Sequence, residues 1–194
     1  MTEKVPTDIL EEEHRFIQKV VGALPTLIES LETSRAVEAE TLRGIVEFMR
    51  TFADKCHHGK EEAVLFPVLA AKGVPTTGCP IGGLTHEHQQ GRVLVTELAA
   101  AVEAFTQGDA SAKESLIKSL RGVMDLYPQH IWKEDYLLFP MTNKVLGLDD
   151  QKELLDKFAK VEDAIGRDTH HRFEQLADKL LASLVFRLPE TDLR

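Results

Sequence analysis

Cysteine is scarce: Cys56 and Cys79 are the only two in 194 residues, too few for a disulfide framework and without the spacing of a thiolate zinc site. No apolar run approaches the ~20 residues needed to cross a bilayer. The opening stretch MTEKVPTDIL has no basic-then-apolar leader pattern. The expected compartment is therefore the cytoplasm, with no membrane partner. Positive charge is in deficit, with 23 Lys and Arg against 32 Asp and Glu and a formal net charge of -9. Phosphate-rich partners demand the opposite balance, so nucleic acid is excluded as a partner. Disorder is excluded too, because 43% of residues are hydrophobic and 28% charged, the proportions of a folded chain. A chain of this length buries enough surface to fold without disulfides or a structural metal.

Glycine and proline are concentrated in one long connection, AAKGVPTTGCPIGG (residues 70–83). No segment alternates with period two for long enough to form a strand. Helix-start patterns occur at Asp8–Glu11, Ser111–Glu114 and Asp150–Glu153. The chain reads as all-α, with helix A over about 8–32, B over about 36–71, C over about 81–107 and D over about 112–146. Together these form an antiparallel up-down four-helix bundle (residues 1–146). A C-terminal helical extension (147–194), broken near Gly166-Arg167-Asp168, packs on the bundle or forms a homodimer contact through Leu154, Leu155, Phe158, Phe173, Leu176, Leu180, Leu181 and Leu184.

The apolar positions show how the helices meet. Leu10, Ile17, Val21, Leu24, Ile28 and Leu31 form a seam on helix A, and Ile81, Leu84, Val95, Leu98, Val102 and Phe105 form one on helix C. Helix D carries a wider stripe from Leu116 to Met141. Steps averaging about 3.5 residues are those of knobs-into-holes packing. Polar residues interrupt each seam where leucine belongs: His14 on A, His88 on C, and His130 with Glu134 on D. Helix B changes phase near Cys56, as a local bulge or a change of facing neighbour would require.

The chain also repeats itself. CHHGKEEAVLFP (56–67) aligns with QHIWKEDYLLFP (129–140) at an offset of 73, and Glu13-His14 aligns with Glu87-His88 at an offset of 74. Two helical hairpins related by a pseudo-twofold axis follow, each contributing one lone His and one H-x-x-x-E pair. Residues four apart on a helix are neighbours, so His57 with Glu61, and His130 with Glu134, reach the same spot. Two carboxylates left unpaired in an apolar seam cost several kcal/mol each, and two cations remove that cost. Four His and two Glu without a thiolate suit iron, two per chain, with manganese or zinc also compatible. One metal is expected between His14 and His57, the other between His88 and His130, with Glu61 and Glu134 bridging.

These motifs resemble the hemerythrin-like (HHE cation-binding) family: a lone His on A, H-x-x-x-E-x-x-x-L-F-P on B and D, E-H on C, and the stretch CPIGGLTHEHQQGR. The likeness covers roughly residues 8–142. It implies a non-haem diiron site that binds dioxygen or related small molecules, with His14, His57, Glu61, His88, His130 and Glu134 as ligands. One departure is visible. Oxygen-carrying members have a second histidine on the third helix, where this chain has Leu84 and Arg92 around His88. With one His fewer both metals keep an open position, which tilts the expected chemistry from reversible oxygen carriage towards reduction of peroxide, nitric oxide or dioxygen, or towards sensing. An iron- or oxygen-responsive sensor or storage module is the alternative function.

Several neighbours complete the reading. His58 is either solvated or a seventh ligand beside His57, and a pairing with Glu62 has the same spacing as His57 with Glu61. His86, His170 and His171 are expected on the surface, as are Glu13 and Glu87. Tyr127 packs in the core, with its hydroxyl free to meet a small molecule at the centre. Cys56 is a small buried hydrophobe, and the Leu-Phe-Pro triplets shape their helices.

Overall fold

In the computed structural model, residues 4–185 are described, the side chains of 167, 170 and 181–185 excepted. Every described element is helical: α1 (Pro6–Glu32), α2 (Ala39–Phe48), α3 (Phe66–Ala71), α4 (Ile81–Thr106), α5 (Ala112–Lys133), α6 (Phe139–Val145), α7 (Leu148–Ile165) and α8 (Arg167–Val185). The expected helix A is α1, C is α4, and D runs through α5 and α6. The expected helix B is α2 and α3 joined through wide-turn segments, so the antiparallel four-helix bundle is the architecture. No described helix is long and apolar enough to cross a membrane.

Two of the helix starts lie earlier than the sequence pattern suggests. Proline, with its fixed φ and missing N–H, begins α1 at Pro6, and Asp8 reaches back to accept from the Val5 N–H at 2.8 Å. Asp150 does the same for the Gly147 N–H at 3.0 Å. Each aspartate is therefore the third residue of its helix and not its cap. The expected break near Gly166 is present: its φ of +96° ends α7 and begins α8, a left-handed conformation that glycine alone adopts without strain.

The phase change in helix B is a widening of the helix itself. Met49–His58 and Glu61–Leu65 form π-helical turns, and Glu134–Leu138 forms another between α5 and α6. Two of the three stand immediately before Phe66-Pro67 and Phe139-Pro140. Proline cannot donate to the carbonyl four residues back and its ring crowds that carbonyl, so widening the preceding turn relieves both defects. Glu61 and Glu134 each open such a turn.

Two apolar cores result. One gathers Ile17, Leu24, Phe48, Phe52, Val95, Leu98, Leu116, Leu120 and Val123, with Phe173 and Ala177 of α8 completing it. The other gathers Leu10, Leu65, Leu69, Ile81, Leu84, Leu138 and Phe139, with Leu154 and Phe158 of α7. The C-terminal helices thus pack on the bundle and share both cores. Leu181 and Leu184, also expected to pack there, have side chains outside the described residues. Along each of the four bundle helices the interrupting His and Glu residues fall between the two cores, so a polar layer is enclosed by hydrocarbon above and below.

Candidate metal centre

The polar layer is closed to solvent. His14, His57, His58, His88, His130, Glu61 and Glu134 are all 3% exposed or less. The ligand atoms form three groups, each with its members within 4.8 Å of one another: His14 with His57 and Glu134; His58 with His88 and His130; and Glu61 with His88 and Glu134. All seven sequence-derived candidates are therefore brought together. Glu134 links the groups. Its Oε2 lies 3.0 Å from Nε2 of His14, while Oε1 lies 3.2 Å from Nε2 of His130 and 3.5 Å from that of His88. Glu61 Oε2 faces His88 Nε2 at 3.4 Å and His57 Nε2 at 3.8 Å.

His58 settles into the second group. Its ring stacks on His88 at 3.8 Å between centroids and stands edge-on to His130 at 5.5 Å. The wide turn of Met49–His58 turns both His57 and His58 inward, which a regular helix would not do for consecutive residues. The pairing of His58 with Glu62 does not form. His58 Nδ1 faces Asp54 at 3.4 Å, and Glu62 accepts from His88 instead.

Each imidazole of the repeat is held from behind by an acid on a neighbouring helix. His14 Nδ1–H donates to Asp135 at 2.6 Å, His57 to Glu13 at 3.1 Å, His88 to Glu62 at 2.6 Å and His130 to Glu87 at 3.0 Å. A carboxylate only accepts, so the proton is fixed on Nδ1 and the Nε2 lone pair is aimed inward. These partners correct the sequence expectation for Glu13 and Glu87. Glu13 is only 2% exposed; it also accepts from Lys60 and lies 3.8 Å from the Cys56 thiol. Glu87 accepts from Lys133. The partners obey the repeat: the Glu before each lone His serves the His of the next helix, and the acid after each bridging Glu serves a lone His. Lys60 and Lys133 occupy matched positions as well. Arg92 donates to both Asp54 (2.8 Å) and Glu62 (2.7 Å), joining the acids behind His58 and His88. His86 and His171 are exposed, as expected; His170 has its side chain outside the described residues.

The electrostatics match a cation site. Burial alone would raise the Glu134 carboxyl, but His130, His14 and His88 hold it well below its ordinary value. Burial pushes His14 down, and the hydrogen bond to Asp135 together with the negative charge of the Glu134 carboxylate overcomes it, leaving its pKa at about 10. His88 is likewise lifted to about 11 by Glu134, Glu61 and Glu62 against burial. His58 is lowered by burial and by the neighbouring His88, His57 and His130, which outweigh the opposing pull of Glu134. Both oxygens of Glu61 and of Glu134, with Nε2 of His58, His88 and His130, have no well-formed hydrogen bond. Buried polar atoms are nearly always paired, so a cluster of orphans pointing at one centre fits metal ligation. Nitrogen and oxygen donors without a thiolate suit iron, manganese or zinc.

A cleft of about 400 Å³ lined by Asp54, His58, Gly91, Arg92 and Tyr127 leads to this layer. Tyr127 is buried, its ring 6.3 Å from those of both His58 and His130. Gly91 permits that placement, since a Cβ there would come within 3.3 Å of the tyrosine oxygen. Cys56 is 1% exposed, and burial, with Glu13 beside it, pushes its thiol up to about 12. Such a thiol is not a reactive one.

The family model of the hemerythrin HHE cation binding domain matches residues 5–142. Uncharacterized proteins of Mycobacterium bovis and of two Mycobacterium tuberculosis strains are each 24% identical over 181 residues, covering 90% of this chain and 67% of the relative. No solved structure matches.

Proposed function

From the premise that the chain belongs to the hemerythrin HHE cation-binding family, we propose that it is a non-haem diiron protein that binds or reduces dioxygen, peroxide or nitric oxide. His14 and His57 hold one metal; His58, His88 and His130 hold the other; Glu61 and Glu134 bridge. The observation that carries this reading is Glu134, which turns one oxygen to His14 and the other to His88 and His130. A carboxylate at zero exposure needs positive charge beside it; the protonated His14 and His88 supply it in the metal-free protein, and two cations, one at each oxygen, would supply it in the loaded one.

With His58 as a ligand the two metals differ. Three imidazoles and the two carboxylates would face the second metal, and two imidazoles with the carboxylates the first, so the His14–His57 metal would have one protein ligand fewer. The histidine missing from α4 is then supplied by the second bundle helix. Ile131, which matches His58 in the repeat, is the apolar counterpart at the first metal. When bound, the metal pair supplies an electron-rich centre for redox chemistry of small oxygen or nitrogen molecules. The protein's own residues orient the imidazoles through the Nδ1 bonds and keep bulk water out between two cores.

A sensing role without turnover is the alternative, favoured by Lys60, which donates both to Glu13 behind His57 and to Glu162 of α7. Metal analysis of protein from iron-supplied cells, with spectra before and after dioxygen, peroxide and nitric oxide, separates the two. About two irons and rapid turnover of one substrate support the first; two irons with binding and altered exchange in α7, but no turnover, support the second.

A further inference from the structure

The two halves of the centre follow the repeat closely except at one point. Behind His57, Glu13 accepts from the ring and from Lys60, and Lys60 also donates to Glu162 of α7 at 2.6 Å. Behind His130, Glu87 accepts from the ring and from Lys133, and among the described residues no further acid reaches Lys133. The two lysines live in different surroundings. Lys133 is 40% exposed and solvated, whereas Lys60 is 0% exposed and sits 5.9 Å from the Phe158 ring centroid. Glu162 lies outside the 5–142 stretch that the family shares.

We propose that Glu162 is a positioning residue for the His57 half of the metal centre, so that docking of α7 and metal binding at that half reinforce one another. The inference rests on the dimetal reading above. A buried ammonium needs full compensation, and water supplies it to Lys133 but not to Lys60. Glu162 takes a share of the Lys60 charge and leaves Glu13 electron-rich enough to hold the His57 Nδ1–H. Without Glu162 the whole ammonium falls on Glu13, which becomes a poorer acceptor. His57 then loses basicity and orientation, and its metal is held less firmly. Coupling runs both ways by linkage: a metal that fixes His57 and Glu13 also fixes Lys60 as a dock for α7. Because Leu154 and Phe158 are buried in the core around Leu10, Leu65 and Phe139, α7 keeps its packing when Glu162 alone is changed.

The test uses the full chain loaded anaerobically with ferrous iron and challenged with a bipyridine-type chelator. Glu162→Gln is expected to speed release of one of the two irons several-fold while leaving the other at its wild-type rate, and Glu162→Asp to recover part of the loss. Hydrogen exchange in 148–165 is expected to rise when iron is removed from the wild type and to rise less in Glu162→Gln. Wild-type release of both irons from Glu162→Gln overturns the inference, as does exchange in α7 that ignores iron. A wild type that takes up no pair of irons overturns the dimetal reading and this inference with it, whereas two irons with an indifferent Glu162→Gln variant overturn this inference alone.

Discussion

The Nε2 atoms of His14 and His57 face each other across 2.9 Å, while the Nδ1 of each ring is committed to an acid, Asp135 and Glu13 respectively. Two inward lone pairs at that distance repel unless something positive lies between them. A proton serves in the metal-free protein, and a metal serves in the loaded one.

That exchange of proton for metal sets a pH dependence. His14 and His88 have folded-state values raised to about 10 and about 11. A raised group stabilises the fold fully below its unfolded value, ordinarily about 6.5, and the contribution is lost as pH rises through the folded value. Glu134, lowered in the fold, contributes above the ordinary carboxyl value and loses its contribution as pH falls. His58, lowered in the fold, costs stability as pH falls below about 6.5, so the metal-free protein is most stable at about pH 6.5, and its melting temperature declines between pH 7 and 10. Calorimetric titration with ferrous iron at pH 7, in buffers of different ionisation enthalpy, is expected to show net proton release. A metal-free protein whose melting temperature rises over pH 7–10 contradicts the assignment.

Removing a bridge has a sharper consequence. Glu134→Ala and Glu61→Ala are each expected to lower metal content from two towards one or none, measured by elemental analysis of the purified protein. Unchanged occupancy in both variants rules out bridging.

His58 distinguishes an asymmetric pair of metals from a symmetric one. His58→Ile, which installs the residue found at the matched position 131, leaves the second metal two imidazoles like the first. Its affinity is expected to fall at least about tenfold, the scale set by losing even an outer partner of a ligand, with a changed charge-transfer spectrum. Wild-type affinity and spectrum would return His58 to a packing role.

The matched lysines should respond unequally in the metal-free protein. Lys60→Met leaves Glu13 buried without its ammonium and is expected to cost about 3–5 kcal/mol. Lys133→Met removes a partly solvated pair, worth about 1 kcal/mol or less. Denaturant unfolding measures both, and equal losses would contradict the difference in burial.

How far the sequence discloses this centre depends on which helix carries each residue. His14, His88, and His130 with Glu134 stand out because each breaks a regular 3.5-residue rhythm, and the hairpin repeat then aligns His57 and Glu61 with the pair on the fourth helix. His58 is harder to place, since periodicity assumes 3.6 residues per turn and the wide turns of Met49–His58 bring two consecutive rings inward. The acids behind the rings are hidden for another reason. A residue next to a ligand points about 100° away on its own helix, so Glu13 looks solvated beside His14 although its partner is His57, across the interhelical gap. Their one signal is the repeat, in which Glu13 with Glu87, Lys60 with Lys133 and Glu62 with Asp135 recur as matched charges. Glu162 has no counterpart in the repeat and only the packing of α7 reveals it.

Anomalous diffraction at the iron edge from crystals of the iron-loaded protein tests the dimetal assignment most directly. The expected map has two peaks in the layer between the two cores, one against His14 and His57, the other against His58, His88 and His130, with a Glu134 oxygen on each. A single peak, or iron bound elsewhere while these side chains keep their places, would contradict it.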